Sequence, residues 1–259
     1  MKIGIVVLAT NAYFVLGIRF IKRFMQFYTG KEEINFFFFS DMEPWNYLPD
    51  KIENVFYLPT KNNNWVEGTN LKFKSIMSLE YSRIASDVDY LFYFDADTNV
   101  NKEFTEEWFI GDSVAGQHFA DQDWMKEIKG FERNSRSKAY IPFNTTLTQV
   151  YTYGAFWGGS KEWVMNFCRT MIEWQKADKS WGYEPGNNDE AYSNAYFHYN
   201  PPSKLVLCKD FSFVISHKGG IENMRDVNLD VSELKRDLRK YKNQNINIEH
   251  GKVTADRNI

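Results

Sequence analysis

The sequence predicts an α/β fold built on a doubly wound sheet, and three observations carry that expectation. Residues 3–8, 36–39 and 90–94 are uninterrupted apolar runs of strand length, the pattern of parallel strands covered on both faces. Between the first two, Phe14, Ile18, Ile21, Met25 and Tyr28 recur at helical spacing with Arg19, Lys22 and Arg23 among them, and a second helical period over residues 71–84 precedes the third run. Strand, helix and strand, with the period changing at each boundary, is the mark of a βαβ unit.

The first run continues into Asn11 without a small-residue cleavage site, so it reads as a strand rather than a signal peptide. Asn11 is a cap for the helix that follows. The second run ends at Ser40 and Asp41, and Asn62, Asn63 and Asn64 mark a loop. These first ninety-odd residues read as the nucleotide-binding half of the sheet, yet they hold neither Gly-x-Gly-x-x-Gly nor a Walker loop. Residues 121–137 mix both charges without a period and read as an excursion. Tyr151 to Gly159 is a compact aromatic and glycine segment, where backbone approaches something closely. Ser160 opens a helix carrying Trp163, Val164, Phe167 and Met171, and near the end Val231, Leu234, Leu238 and Tyr241 form one face of a basic helix. The expected organisation is one domain over residues 1–225, with halves of about 1–97 and 98–225, and a helical extension over 226–259.

At 259 residues and 43% hydrophobic, the chain can bury a core without disulfides. A net charge of -3 leaves no basic surplus for nucleic acid. Cys168 and Cys208 lack metal-ligand spacing and read as reduced, buried thiols, and the scattered His118, His198, His217 and His250 disfavour zinc. No stretch approaches the ~18 to 20 apolar residues of a membrane span. The expectation is a soluble, cytoplasmic protein.

The third run ends in Asp95-Ala96-Asp97. Side chains two apart on an extended segment share a face, and the carboxyl ends of strands are where open α/β sheets bind ligands. Asp95 and Asp97 are therefore expected to converge on magnesium or manganese that bridges to a phosphate-bearing substrate. The plainer alternative makes Asp95 a helix cap and Asp97 a loop carboxylate. Aspartate-dependent phosphatases carry Asp-x-Asp-x-Thr, whereas here Thr98 falls one place early and Asn99 takes its position, which weighs against that chemistry. Asp189 and Glu190 precede Tyr192, Tyr196 and Phe197 at helical spacing, so they sit where a helix dipole favours carboxylates. They are either a capping pair or acids placed to stabilise or attack an oxocarbenium centre.

With these segments assembled in order, the chain resembles glycosyltransferase family 6, the group containing the histo-blood group A and B transferases and the α1,3-galactosyltransferase. The resemblance runs from about Ile3 to Arg225. It implies a GT-A type fold, a doubly wound mixed sheet with a Rossmann-like nucleotide-binding half. Leu8, Ala9, Thr10 and Tyr13 fall where the family packs uracil and ribose. Trp65, Lys72 and Ile76 match a tryptophan, an arginine and an isoleucine of the helix before the metal strand; lysine keeps the charge but loses the bidentate fork. Asp95, Ala96 and Asp97 match the Asp-x-Asp motif, which implies a manganese site, or a magnesium one, gripping the diphosphate of a UDP-sugar.

His118 matches an acceptor-side histidine, although Phe119-Ala120-Asp121 replaces the family's Pro-Gly-Phe. Residues 131–133 and 138–142 resemble its Tyr-Glu-Arg and Ala-Tyr-Ile-Pro elements. Tyr153, Gly154 and Ala155 match the segment that reads the donor sugar; alanine at 155 goes with UDP-galactose in the family, and glycine with UDP-N-acetylgalactosamine. Asn188-Asp189-Glu190-Ala191 resembles His-Asp-Glu-Ser, which implies that Asp189 binds donor hydroxyls and that Glu190 is the catalytic nucleophile or ion-pair stabiliser. Asn187 stands in place of a tryptophan. Lys218 matches a lysine that closes on the diphosphate, with Arg225 a looser match.

The resemblance thus implies a retaining, metal-dependent transferase that moves galactose or N-acetylgalactosamine from UDP to an oligosaccharide hydroxyl in α1,3-linkage, from a bacterial or viral-type member that retains both aspartates. The alternatives are a nucleotide- or glycan-binding module of the same fold and, more remotely, a sugar-phosphate phosphatase.

Overall fold

The computed structural model describes residues 1–11, 13–45, 48, 54–61, 65–98, 100, 102–118, 130–143, 150–206, 247–249 and 252–254. Along them run β1 (Lys2–Leu8), α1 (Tyr13–Phe27), β2 (Glu33–Ser40), β3 (Val55–Pro59), α2 (Trp65–Met77), β4 (Tyr90–Asp95), β5 (Ser113–Gln117), β6 (Thr152–Ser160), α3 (Lys161–Lys179), α4 (Asn188–Tyr199) and β7 (Lys204–Val206). A separate antiparallel pair, β8 (Asn247–Glu249) and β9 (Lys252–Thr254), falls within residues 226–259. The basic helix expected around residues 231–241 lies outside the described residues, as do Cys208, Lys218 and Arg225.

The first seven strands form one mixed sheet in the order β3-β2-β1-β4-β6-β5-β7. Six run the same way; β6 alone is reversed, antiparallel to both β4 and β5. The pleat explains why the strand sequences are apolar throughout. Ile3, Ile5, Val7, Phe36, Phe38, Phe92 and Phe94 face one core layer, closed by α1. Val6, Phe37, Phe39, Leu91 and Tyr93 face the other, under α2, α3 and α4. Full burial of each such side chain contributes about 1.5–3 kcal/mol, so the four consecutive phenylalanines of β2 weld both layers to the sheet.

Several sequence expectations shift in detail. Tyr151 to Gly159 is mostly strand β6. Its glycines are there for contact, since a Cβ on Gly158 would lie 2.2 Å from Phe92 Cδ1 and 2.4 Å from the Leu91 carbonyl. The helix read over residues 71–84 begins at Trp65 and ends at Met77, where successive N–H groups of Leu79 and Glu80 turn to carbonyls three residues back. Met25 is exposed, and Phe20 and Phe24 take the inner face of α1 in its place. Ser160 does cap α3, its side chain accepting from the Trp163 N–H. Cys168 is a free, buried thiol.

Candidate active site

The ends of β1 and β4, the reversed start of β6, the first half of α2 and the head of α4 enclose a cavity of about 320 Å³. Leu8, Thr10 and Tyr13 form its wall beyond β1. The chain turns there through Asn11, held at φ 55, a left-handed conformation that asparagine tolerates. The Asn11 N–H donates to Asp41 Oδ1 at 2.9 Å.

Strand β4 ends at Asp95, and the Thr98 N–H donates back to the Asp95 carbonyl at 3.0 Å. The turn so closed, rather than strand alternation, carries Asp95, Ala96 and Asp97 to the cavity. Asp95 Oδ1 accepts the Tyr93 hydroxyl at 2.6 Å and lies 3.5 Å from Lys72 Nζ. Two carboxylates on an open wall suit a hard divalent cation that takes its other oxygen ligands from a diphosphate and water. Among the described residues no group of three or more His, Cys, Asp or Glu could hold a metal unaided.

Lys72 is the electrostatic centre of the site. It projects from α2, almost fully buried, to within 2.7 Å of Asp189 Oδ2, over the Tyr93 ring at 4.5 Å, and donates to the Gly154 carbonyl at 3.4 Å. Burial opposes its charge, but Asp189 and then Asp95 hold the ammonium above its usual value. Burial likewise pushes the Asp189 carboxyl up, and Lys72 pulls the other way. Burial keeps the Tyr93 phenol neutral, reinforced by Asp95 beside it.

Glu190 lies one residue further into α4, close to the helix N-terminus expected from the sequence. Its Oε1 accepts the Tyr151 hydroxyl at 2.6 Å and its Oε2 the Gly154 N–H at 2.8 Å. Burial pushes Glu190 up to about 7, against the two hydrogen bonds that favour its ionised form. Gly154 permits this arrangement, because a Cβ there would meet Glu190 Oε2 at 3.1 Å and Asp189 Oδ2 at 3.3 Å. Asn194 locks α4 to β6: Oδ1 accepts the Thr152 N–H at 2.7 Å, and Nδ2 donates to the carbonyls of Thr152 at 3.0 Å and Glu190 at 2.8 Å.

The fold thus brings Leu8, Thr10, Tyr13, Lys72, Asp95, Ala96, Asp97, Tyr153, Gly154, Ala155, Asp189 and Glu190 to one cavity. Ala9 and Ile76 sit beneath it, wholly buried in opposite core layers. His118, just past β5, stands edge-on to Tyr151 and Tyr153, with ring centroids 5.5 and 5.2 Å away, and burial pushes its imidazole down to about 4. Trp65 is the first residue of α2, and its side chain is outside the described set. Sequence reasoning did not single out Gly68, Thr69, Tyr93 and Gly186, which also line the cavity, nor the supporting Tyr151 and Asn194.

Asn188 carries a double penalty at the cavity wall. Its φ is 43, and both amide atoms are buried without a hydrogen-bond partner among the described residues. Strain and unmet polar groups of this kind concentrate at functional sites. Asn188→Gly removes both, so its melting temperature should rise by about 2–4 °C, the equivalent of roughly 1 kcal/mol in a domain of this size. Calorimetry showing a lower melting temperature would contradict this account of Asn188.

Comparison with known proteins gives the chain's relatives. The family model described as Glycosyltransferase family 6 matches residues 1–237. The globoside alpha-1,3-N-acetylgalactosaminyltransferase 1 of Gallus gallus is 28% identical over 210 residues, 80% of this chain and 60% of that protein. The histo-blood group ABO system transferase 2 of Rattus norvegicus is 24% identical over 213 residues, covering 79% and 61%. The Homo sapiens globoside enzyme of the same name as the chicken protein is 24% identical over 215 residues, covering 80% and 59%. The chain therefore spans about 60% of the length of the curated relatives it matches. No helix among the described residues is long and apolar enough to cross a membrane.

Proposed function

Since the chain belongs to glycosyltransferase family 6, we propose that it transfers galactose or N-acetylgalactosamine from a UDP-sugar to a glycan hydroxyl in α1,3-linkage, with retention at the anomeric carbon and with a divalent metal. The observation that carries this reading is the meeting, across one cavity, of two carboxylates at the end of β4 with two more at the head of α4, Lys72 lying between them.

In this scheme Leu8, Thr10 and Tyr13 receive the nucleoside, and Asp95 and Asp97 hold manganese or magnesium. Such a cation would supply positive charge against a diphosphate leaving group. Lys72, fixed by Asp189, adds preorganised positive charge on the same side, and Lys218 is proposed to join it. Asp189 orients donor hydroxyls. Glu190 faces the other side of the sugar ring and stabilises the positive anomeric carbon as the bond to UDP breaks and the acceptor oxygen bonds in its place, its proton passing to the departing diphosphate. Ala155 is buried in the cavity wall, and its methyl is proposed to crowd an N-acetyl group; this favours galactose, whereas the names of the globoside relatives speak of N-acetylgalactosaminyl transfer.

The test is UDP release from UDP-galactose and UDP-N-acetylgalactosamine with manganese, with and without fucosylated and plain galactoside acceptors. Acceptor-stimulated UDP release is the expected result, and Asp97→Asn should make donor binding insensitive to manganese. A manganese response unchanged in that variant removes Asp97 from the metal site. Release of inorganic phosphate instead of UDP overturns the transferase reading.

A further inference from the structure

The Glu190 carboxylate is held by a chain of hydrogen bonds whose direction can be read off the structure. Asn187 Nδ2 lies 3.5 Å from the Gly130 carbonyl, which can only accept, so the amide nitrogen is the end that faces this side. The same Nδ2 donates to the Tyr151 hydroxyl oxygen at 3.1 Å. A tyrosine hydroxyl has a single proton. With Asn187 on its oxygen, that proton is aimed at Glu190 Oε1, 2.6 Å away. The Tyr151 ring is wholly buried against Phe131, with centroids 5.5 Å apart, so the hydroxyl is carried by a rigid body.

We propose that Tyr151 and Asn187 are positioning residues for the transfer reaction: the directed chain Asn187 to Tyr151 to Glu190 fixes the carboxylate in one orientation toward the cavity. The inference rests on the role given to Glu190 above. Asn187 takes over part of an alignment task with its amide, at a position where the resemblance to the family leads one to expect a tryptophan ring. Among the described residues, the groups that act most on Glu190 are Tyr151 and Gly154 from the β6 segment, Asp189 on its own helix and Lys72 from α2. Of these, Tyr151 and Gly154 touch its oxygens directly.

A hydrogen bond donated to a carboxylate favours the ionised form and lowers its pKa. Burial works the other way and leaves Glu190 at about 7. Tyr151→Phe removes the donor, so the Glu190 titration should move up by about one pH unit or more. Asn187→Ala should move it in the same direction by less, because the Tyr151 proton is no longer steered. The titration is read from carboxyl-¹³C glutamate NMR, with the Glu190 signal assigned by its loss in Glu190→Gln. Turnover at pH 7 should fall roughly 10-fold in Tyr151→Phe, with the acid limb of kcat displaced upward and KM for the donor little changed.

A merely structural role would lower the melting temperature and leave both profiles in place. An unmoved Glu190 titration overturns the proposal whether or not transfer is observed. Should Tyr151→Phe not fold, Asn187→Ala carries the same test at a partly exposed residue. If Glu190→Gln keeps full turnover, the role of Glu190 fails instead, whatever the titration shows.

Discussion

Glu190→Gln is expected to lower transfer by on the order of 10²–10³-fold, the range for removing a group that stabilises developing charge, while UDP still binds in the presence of manganese. The substitution keeps the shape and removes the charge. It also breaks the local hydrogen bonding, since Glu190 accepts from both the Tyr151 hydroxyl and the Gly154 N–H, and an amide has only one acceptor oxygen to offer. Loss of activity should come without loss of fold. The Glu190 pKa is raised by folding from 4.5 to about 7, so ionisation costs stability as the pH climbs through that interval. Glutamine escapes the cost, and its melting temperature at pH 8 should equal or exceed that of the parent. Wild-type turnover in this variant would end the role assigned to Glu190.

Lys72→Met is expected to destabilise the protein by about 3–5 kcal/mol at neutral pH, the cost of leaving a buried charge without its partner. Asp189, 2.7 Å from Lys72 Nζ and almost wholly buried, is the group stranded. Its carboxyl is already raised by burial, and the pull of Lys72 that restrains the rise is lost. The stability of the variant should therefore be greatest at acid pH. It should then fall as pH rises from the ordinary aspartate range through the raised value. Urea unfolding across pH measures this directly, and a pH-independent stability equal to the parent's at pH 8 contradicts it. Donor affinity should drop as well, because Lys72 also lies 3.5 Å from Asp95.

Much of the first half of the sheet was legible because β1, β2 and β4 are buried on both faces and so read as unbroken apolar runs. The remaining strands were not. β5 and β7 are short and carry Ser113, Gln117 and Lys204, and β6 is interrupted by Gly154, Gly158 and Gly159. Those glycines lower strand propensity, and two of them are required by close approach, Gly158 to β4 and Gly154 to the acids of α4. Asp95 and Asp97 were legible as a pair, although the turn closed at Thr98 is what joins them in space. Tyr93 and Tyr151 look like ordinary core aromatics in sequence. Their hydroxyls matter only through their partners, and for Tyr151 that partner is 39 residues away. Lys72 and the pairing of Asp95 with Asp189 depend on the packing of α2 against α4, which a local pattern does not encode.

The single reversed strand has a geometric consequence. Because β6 hydrogen-bonds to β4, with Phe94 opposite Phe156, Asp95 at the end of β4, Asp97 in the turn beyond it and Gly154 near the start of β6 lie at the same end of this strand pair. Their separation is set by main-chain pairing, in steps of about 3.4 Å per residue. Side-chain substitution can therefore change what is recognised at either end of a bound molecule, but altering the span between the ends requires the two strands to slip.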